Sequence, residues 1–563
     1  MIVLNLNAQS HFSVNPVDLD IGRSRFERPK KKMLTADVGT LIPAYWTEIL
    51  PGDTVQMSLS SVVQMSTILD PVMDNLYMDV NFFFVPMRLC WSHTKEFFGE
   101  NSDGAWAPQT TYTIPQLQFT SSSGGASVQS VADYMGIPVG VTGISVSALP
   151  FRAYGRVYDD WWRDENLVTP PTSYYGDSNQ PYNSTTPFRG GVPYKVAKFH
   201  DYFTSSLPAP QRGSAVLIPF SGSGLVSISG SFPVTAAGSI HSMGNPIQFG
   251  ESAATIGLNF KKANGSISGY PFELGLASGT LSDYSDLTKS NLVTNVSGSG
   301  SVSGISSTTS VNDLRLAFQM QKWLEKSALF GGRYVSMLKA QFGVTSPDAR
   351  LQRSEYLGGK RIPLNVHMVE NNSASTSSGA VPLGKLGAYS HTSDSDDYFT
   401  HSFTEHGFLL CTVCFRYKHT YSQGIRREFS RKTMWDYYFP VFANIGNTAV
   451  LRKEVFADGS ASDDDVWGYQ EAWAEYRYDQ DELSGFFRPG VSGSLSSWHY
   501  GDYYQTAPTL SEGWIVEDKA PVDRTLAVPS SASVPQLLCD FLFKPVFTRP
   551  MPVYSIPGLI DHH

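Results

Sequence analysis

The strongest constraint on the fold lies between residues 51 and 91, where two alternating stretches are joined by turn-forming residues. From Val55 to Ser60 apolar and polar side chains alternate, which is the period-2 pattern of a β-strand with one buried face. Asp70-Pro71 and Asp74-Asn75 then predict turns, because Asp and Asn bond to their own backbone and Pro fixes φ. The next stretch, Leu76 to Val85, becomes apolar on both faces. Such a strand belongs in a two-layered core, as in a sandwich or closed barrel.

The composition favours a subunit of an assembly over a free enzyme. Of the 563 residues, 41% are apolar but only 17% are charged, below the ~25% that is usual for soluble proteins. The 48 Gly and 34 Pro residues indicate long loops and many turns. A neutral surface suits close packing against neighbours, because strong like charge opposes assembly. The net charge of −9 argues against a protein coated in nucleic acid, so any such contact is expected to be local.

Cysteine content and apolar runs indicate the compartment. Four cysteines are too few for a disulfide framework in a chain of this length and fit a reducing compartment. The N-terminal stretch has no basic region followed by a long apolar core, and no run of about 18 apolar residues occurs. We therefore expect neither a signal peptide nor a membrane span.

A local basic patch occupies the end of an extended polar arm over residues 11–32. Its six cations lie within ten residues and face only Glu27 as an opposing charge. One interpretation is a contact with a phosphate backbone, with Phe26 stacking on a base; the other is a solvated, flexible arm. The candidate DNA-contacting residues are Arg23, Arg25, Phe26, Arg28, Lys30, Lys31 and Lys32.

Two central segments differ from the β-type stretches. Residues 150–167 carry aromatic side chains at helical spacing, which predicts a helix whose stripe packs in the core or against another subunit. Residues 221–310 contain only seven charged residues, no Trp and no Cys. Their composition resembles a linker, but the alternation at 226–232 and 254–260 predicts short strands. We interpret 221–310 as a β-rich insertion that projects from the main domain, where recognition often resides.

The remaining chain predicts two helices, two strands and a strap. A helix is expected to begin at the Asx cap Asn312-Asp313 and to end at Gly331-Gly332, with a second short helix over Tyr334 to Phe342. A strand with one apolar face is predicted over Phe408 to Tyr417. The tail predicts a short strand at Phe541 to Phe543, followed by a proline-rich strap in extended conformation.

Candidate catalytic or metal sites are weak. Glu471 and Glu475, with Trp467 and Trp473, suggest a glycan-binding protein or glycosidase, but a glycosidase needs two carboxyl groups across a cleft, ~5 to 10 Å apart, and no spacing here provides that. The acidic runs at 394–397 and 463–465 suggest a divalent cation but lack the Gly and terminal Glu of a calcium loop. Cys411 and Cys414 are expected on opposite faces of a strand, as buried apolar side chains.

An ordered set of motifs along nearly the whole chain resembles the major capsid proteins of gokushoviruses, small single-stranded-DNA bacteriophages of the microvirus group. The matching stretches are Arg23–Phe26, Leu50–Thr54, Asn81–Pro86, Leu149–Tyr154, Trp162–Leu167, His200–Ser205, Phe342–Val344, Ser346–Asp348, Arg350–Arg353, Glu355–Gly359, Gly468–Tyr478 and Pro557–His562. The resemblance implies an eight-stranded jelly roll, of which sixty copies close an icosahedral T=1 shell around circular single-stranded DNA. It also implies that the insertion builds protrusions at the threefold axes that contact the host.

These inferences combine into one expectation for the whole chain. We predict a mainly β protein with an N-terminal arm (1–50), a jelly-roll capsid domain with long loops and a few short helices (51–220 and 311–563), and an insertion (221–310). Expected partners are further copies of the chain, viral single-stranded DNA, a small DNA-binding or scaffold protein, and a host receptor. No catalytic site and no cofactor are expected, with a structural divalent cation left open. The expected location is the virion capsid, assembled in the bacterial cytoplasm; the alternative is a glycan-binding β-protein or glycosidase.

Overall fold

The computed structural model describes most of the chain outside the central insertion. The described residues are 22–100, 110–171, 175–213, 216, 333–373, 383–527 and 534–554. Between residues 217 and 332 the structure gives the backbone of several strands and of one long helix, with side chains only for 314–329. Contacts within the chain define two compact units, Met1–Ala215 with Gln321–His563, and Val216–Met320.

Two main sheets of the first unit contain nine strand segments among the described residues. In chain order these are β1 (Ser24–Glu27), β2 (Lys30–Ala36), β3 (Ile42–Ile49), β4 (Thr54–Met65), β5 (Leu76–Pro86), β6 (Glu355–Pro363), β7 (Thr392–Ser402), β8 (Gly407–Tyr417) and β9 (Leu537–Arg549). The first sheet has the order β1 and β2, β9, β4, β7, and the second has the order β6, β5, β8, β3; all pairs are antiparallel.

From β2 onward, successive strands alternate between the two sheets and so build a jelly roll, with one exception. The exception is β5 and β6, which pair with each other in the second sheet and are joined by residues 87–354. Before them, β1 and β2 both lie on the edge of the first sheet. Side chains of β4 and β5, including Val55 and Phe82, lie in one shared core, so the sheets pack face to face. This connectivity, with long excursions between paired strands, is that of a jelly roll. The predicted fold class is confirmed.

Strand β8 is buried on both faces, as its apolar sequence predicts. Leu409, Cys411 and Val413 point into the core between the sheets. Leu410 and Cys414 belong to a second core on the other face of the sheet. The two thiols therefore lie on opposite faces and are both buried, as predicted from their i, i+3 spacing. Burial raises the pKa of both thiols, which makes them unreactive.

Three helices follow the predicted pattern, with one difference in length and one in the start. They are α1 (Leu149–Val157), which continues into a π-helical turn (Tyr158–Trp162), α2 (Val311–Phe330) and α3 (Tyr334–Phe342). The helix predicted to begin at the cap Asn312-Asp313 begins at Val311, so these two residues lie in its first turn. The predicted helix over 150–167 stops early, because the Asp164 carboxylate accepts the backbone N–H groups of Asn166 and Leu167 at 2.9 and 2.8 Å and forms a turn. Tyr154 and Tyr158 are buried in the second core, which confirms the packing role of the aromatic stripe.

Shorter elements connect these strands and helices. The other α-helices among the described residues are Thr94–Phe97, Val131–Met135, Arg452–Val455, Glu512–Ile515 and Ala520–Asp523, and several single 3-10 turns lie between them. The other strands of the first unit are Gln116–Phe119, Ile144–Ser147, Gln180–Pro181, Val366–Glu370, Leu386–Ser390, Asn447–Leu451 and Val466–Glu471. Within the described part of the chain, no helix combines the length and the apolar character needed to cross a membrane.

The two ends of the jelly roll differ from the prediction. Residues 24–49 are strands of the two sheets and not an arm, while residues 1–21 lie outside the described residues. The tail strand β9 has 13 residues and runs through Pro545, where a strap was expected. The Pro545 carbonyl accepts the Arg28 N–H at 3.1 Å, so its missing N–H faces the break between β1 and β2 at Pro29. Because that position has no ladder partner, proline is tolerated there.

Besides the first half of α2, the second unit is described by the backbone of its strands. They are Leu225–Pro233, His241–Ser242, Asn245–Pro246, Phe260–Lys261, Ile267–Ser268 and Val293–Ser301. The first and last pair with each other in antiparallel register, Leu225 opposite Ser301 and Pro233 opposite Val293. The strand predicted at 226–232 is confirmed. The one predicted at 254–260 lies outside the described residues except for Phe260, as does the helix end predicted at Gly331-Gly332.

Removing a central aromatic ring should destabilise the fold strongly. Phe82 is fully buried, and its ring centroid lies 5.0 Å from that of Tyr398. We expect Phe82→Ala to lower the free energy of unfolding by about 3 to 5 kcal/mol, because it leaves a cavity between the sheets. The control Met73→Ala, at an exposed side chain, should change it by no more than about 0.5 kcal/mol. Denaturant titration followed by Trp fluorescence measures both; equal effects would contradict this account of the core.

Candidate nucleic-acid interface

The predicted basic patch lies on the edge of the first sheet, along β1 and β2. Arg23, Arg25 and Lys31 are exposed to solvent. The Arg25 guanidinium lies 3.4 Å from the Glu27 carboxylate, and the Lys31 Nζ lies 3.0 Å from Asp540. Exposed ion pairs of this kind contribute little to stability and exchange partners readily. These three cations are therefore accessible to a phosphate.

Two further members of the patch rest on aromatic rings. The Arg28 guanidinium lies 5.3 Å from the Phe547 ring centroid, and the Lys30 Nζ lies 5.6 Å from that of Tyr45. Both side chains remain exposed. Cation–π contacts at exposed sites are weak, so they orient the two cations along the sheet edge without removing them from solvent.

Lys32 and Phe26 are placed differently from the other candidates. The Lys32 Nζ donates to the Pro43 carbonyl at 3.3 Å and to the Tyr134 carbonyl. Burial, together with the nearby positive charge of Lys30, lowers the pKa of Lys32 to about 8. Phe26 is half-buried against the core between the sheets, which leaves only part of its ring accessible. These two side chains are poor candidates for a DNA contact, and the other five remain predictions.

The two acidic runs form ion pairs with basic side chains. Asp394 and Asp396 lie 2.7 and 2.9 Å from the Lys360 Nζ. In the second run, Asp463 pairs with Arg452 at 3.0 Å and Asp464 is the partner of Lys453. Within the described ranges, no group of three or more His, Cys, Asp or Glu side chains is arranged to hold a metal ion.

The carboxylates proposed for a glycosidase do not converge on one cleft. Glu471 pairs with Arg477, whereas Glu475 pairs with Arg431 at 3.3 Å. The two carboxylates line different cavities. The Trp473 indole donates its N–H to the Phe442 carbonyl at 2.9 Å, so this ring is held in the structure. The paired carboxylates that glycoside hydrolysis requires are not formed by these residues.

A buried ion cluster joins four loop segments and was not predicted. The His419 Nδ1 lies 3.0 Å from Asp502, its Nε2 lies 2.9 Å from Glu517, and the Lys198 Nζ lies 3.6 Å from Asp502. All four side chains are buried. Positions this far apart in sequence carry no spacing signal, so only the fold brings them together. Because none of these four side chains is exposed to a ligand in solvent, we assign the cluster a structural role.

The charges of this cluster depend on one another. Burial alone would lower the pKa of His419, but the Asp502 and Glu517 carboxylates outweigh it and raise the pKa to about 9. Burial raises the pKa of a carboxyl group, yet His419 and Lys198 hold the pKa of Asp502 below its ordinary value. For Glu517 burial prevails over these two cations, and its pKa is raised. The histidine is thus a cation at neutral pH that neutralises buried carboxylates.

Comparison with known proteins decides what kind of protein carries these features. Residues 17–559 match the family model described as "Capsid protein (F protein)" of phages. The chain belongs to this phage capsid protein family. Capsid protein VP1 of Spiroplasma virus 4 is 37% identical over 567 residues, which cover 98% of each chain. Capsid protein VP1 of Chlamydia phage 1 is 35% identical over 96% of each chain, and that of Bdellovibrio phage phiMH2K is 35% identical over 95% of each.

Membership in the family confirms the resemblance seen in the sequence and gives the chain its role. It is a structural capsid protein of a phage and not an enzyme, so the glycosidase alternative is wrong. Capsid proteins associate with further copies of themselves, and their place is the virion. The family implies no cofactor. In this capsid protein the role of the buried ion cluster is therefore to stabilise the folded state.

The buried cluster should make the stability of the capsid protein depend on pH. His419 has a folded-state pKa of about 9, above the ~6.5 of an unfolded histidine. Its stabilising contribution is complete below about pH 6.5 and is lost as the pH rises through about 9. Across this window, we expect the free energy of unfolding to fall by up to about 3 kcal/mol relative to a His419→Gln variant, which cannot titrate.

Denaturant titrations at a series of pH values measure this difference. An exposed histidine, His391, provides the control, and His391→Gln should keep the pH profile of the parent chain. Parallel profiles for the parent and His419→Gln would mean that His419 does not carry this charge coupling.

Proposed function

We propose that this capsid protein is the major shell subunit, sixty copies of which form an icosahedral T=1 capsid around a circular single-stranded DNA genome. The observation that carries the proposal is the match with phage capsid proteins over at least 95% of both chains. The jelly roll supports this proposal, because two sheets packed face to face form a rigid subunit. Its long connections supply surface that neighbouring subunits can contact. Assembly in the bacterial cytoplasm agrees with four buried, unpaired cysteines, since reducing compartments disfavour disulfides.

The genome contact is proposed for the edge of the first sheet. Arg23, Arg25 and Lys31 are its accessible cations, with Arg28 and Lys30 beside them. Five cations per subunit bind phosphate weakly and without sequence preference. The net charge of −9 opposes a larger role in neutralising DNA. A separate small DNA-binding or scaffold protein is therefore part of the proposal.

The second unit is proposed as the outward protrusion at the threefold axes and the contact with a host receptor. Its separate compactness supports this role, because a unit that packs on itself can project from the shell without disturbing the jelly roll. The chain joins β5 to β6 through this region, so the insertion does not interrupt either main sheet. Rigid scaffolds commonly carry recognition on such excursions.

Neutralising the accessible cations should weaken DNA binding but not shell closure. We expect Arg23→Gln, Arg25→Gln and Lys31→Gln together to lower the DNA content of particles. For purified chain and single-stranded DNA, the slope of log K against log salt should become shallower by about 2, because three phosphate contacts are lost. Filter binding over a range of salt concentrations and nucleic-acid content of purified particles are the measurements.

A charge-matched control separates this effect from the loss of net charge. Lys95, Arg350 and Lys385 are also exposed, and their replacement by Gln should leave the slope and the DNA content as in the parent. Equal DNA content in the two triple variants would contradict the proposed interface.

Shortening the second unit should separate attachment from assembly. Pro233 and Val293 face each other at the end of an antiparallel pair, so a two-residue Gly-containing turn in place of 234–292 closes a hairpin. We expect the shortened chain to form shells of normal size that no longer adsorb to the host. Centrifugation of particles with host cells measures adsorption. Normal adsorption by the shortened particles would assign host contact to another surface.

A further inference from the structure

Residues 425–445, here called the aromatic segment, expose an unusual density of large apolar side chains. Val441 is 88% exposed, Phe429 79% and Trp435 63%, and Tyr437 and Tyr438 are also exposed. The Phe442 ring connects two of the exposed rings, since its centroid lies 5.9 Å from that of Trp435 and 6.3 Å from that of Phe439. Single exposed apolar residues are normal on proteins, but a contiguous patch of this kind marks an interaction site.

The aromatic segment is held in one conformation. The Asp436 carboxylate accepts the backbone N–H groups of Lys432 and Thr433 at 2.8 and 2.7 Å. The Phe442 carbonyl accepts the indole N–H of Trp473 at 2.9 Å, which ties the segment to the chain beneath it. A surface that is already ordered loses little conformational entropy when it binds a partner. Its exposed rings are therefore suited to docking.

A cavity of ≈ 660 Å³ opens beside the exposed rings. Arg427, Arg431, Trp435, Trp473 and Glu475 contribute to its lining. The Arg431 side chain is only 9% exposed and packs 4.6 Å from the Tyr476 ring centroid. Its Nε–H has no hydrogen-bond partner among the described residues. Because an unpaired buried donor is unfavourable, the cavity is complementary to a ligand that brings a hydrogen-bond acceptor.

The charge of this cavity favours a protein over a nucleic acid. Its two cations, Arg427 and Arg431, are balanced by Asp436 and Glu475, which also line it. A phosphate backbone requires an excess of cations, which is absent from this lining. Tryptophan, tyrosine and arginine together are instead the residues that dominate the energetics of protein–protein interfaces.

The exposed area shows whether the aromatic segment is large enough to bind another protein. The five exposed aromatic side chains of the aromatic segment are 40 to 79% exposed, which at 150 to 250 Å² each amounts to roughly 560 Å². The exposed aliphatic side chains Ile425, Met434, Val441 and Ile445 raise the total to roughly 800 Å². A stable protein interface buries about 800 Å² on each partner, so this patch is large enough for one. Because a capsid protein associates with copies of itself, the partner at hand is a second copy of this chain.

We infer that the aromatic segment and its cavity form a contact between two copies of this capsid protein. In this contact an acceptor group of the second copy, a backbone carbonyl or a carboxylate, enters the cavity and accepts the Arg431 Nε–H. The inference rests on the proposed assembly of copies into a shell. When the acceptor belongs to a surface other than the aromatic segment of the second copy, the contact is heterologous. Contacts of this kind are the ones that close rings of subunits within a shell.

A matched pair of valine variants tests the contact in the full chain. Val441 and Val128 are both highly exposed, 88% and 71%, but Val128 lies outside the aromatic segment. We expect Val441→Asp to weaken self-association by roughly tenfold or more, because a charge would be buried at the contact. Val128→Asp should associate as the parent does. Sedimentation velocity over a range of concentrations measures association, and thermal unfolding of both variants checks the fold.

A third variant tests the cavity itself. Arg431→Lys keeps the positive charge but removes the Nε–H, and we expect it to weaken self-association several-fold while thermal unfolding stays cooperative. Binding of a single-stranded oligonucleotide by the parent and by Val441→Asp should be equal.

Four results would overturn the inference. Association of Val441→Asp like the parent, or equal weakening by Val128→Asp, would remove the contact from the aromatic segment while the shell function stands. A parent chain that stays monomeric at its highest soluble concentration would contradict the contact, while the proposed shell, whose assembly includes a separate scaffold protein, would stand. Loss of oligonucleotide binding in Val441→Asp with unchanged self-association would assign the segment to DNA.

Discussion

Strand β8 pairs with both β3 and β5, and each of its faces meets a separate apolar core. One core joins the two sheets, and the other joins the second sheet to α1 and the loops around it. Since both faces are buried, a shift of register by one residue would exchange the two cores and is strongly opposed. The position of β8 thereby holds the second sheet in place, and the long connection over residues 87–354 begins and ends on strands of that sheet. The excursions can then carry surface contacts without loss of the scaffold.

The parts of the fold that could be predicted are those with a local period. Alternation predicted β4, β5 and β8, and the helical period predicted α3 to the residue. Strands β6 and β7 carried no such signal, because β6 contains Gly358-Gly359 and β7 is mostly polar and exposed; their pairing with β5 and β4 makes them strands. The length of β9 escaped prediction since Pro545 is tolerated only because of the break between β1 and β2.

For the candidate nucleic-acid interface, too, only features with a local signal in the sequence could be predicted. Charge density alone located the basic patch, but it did not distinguish the exposed Lys31 from Lys32, which the fold turns inward to two carbonyl groups. The cluster around His419 joins residues from 198 to 517 and has no signature along the chain. The aromatic segment does have a sequence signal, since six aromatic residues lie between positions 429 and 442. What the sequence does not give is that their rings lie outside the cores.

Electron cryo-microscopy of particles formed by this chain tests most directly whether it is the subunit of a closed shell. We expect closed particles of uniform diameter in which sixty jelly rolls form a continuous wall and the second unit of each subunit projects outward at the threefold axes. The wall should place the aromatic segment between neighbouring copies. Particles whose wall is made of another protein, or open sheets and filaments without closure, would contradict this account.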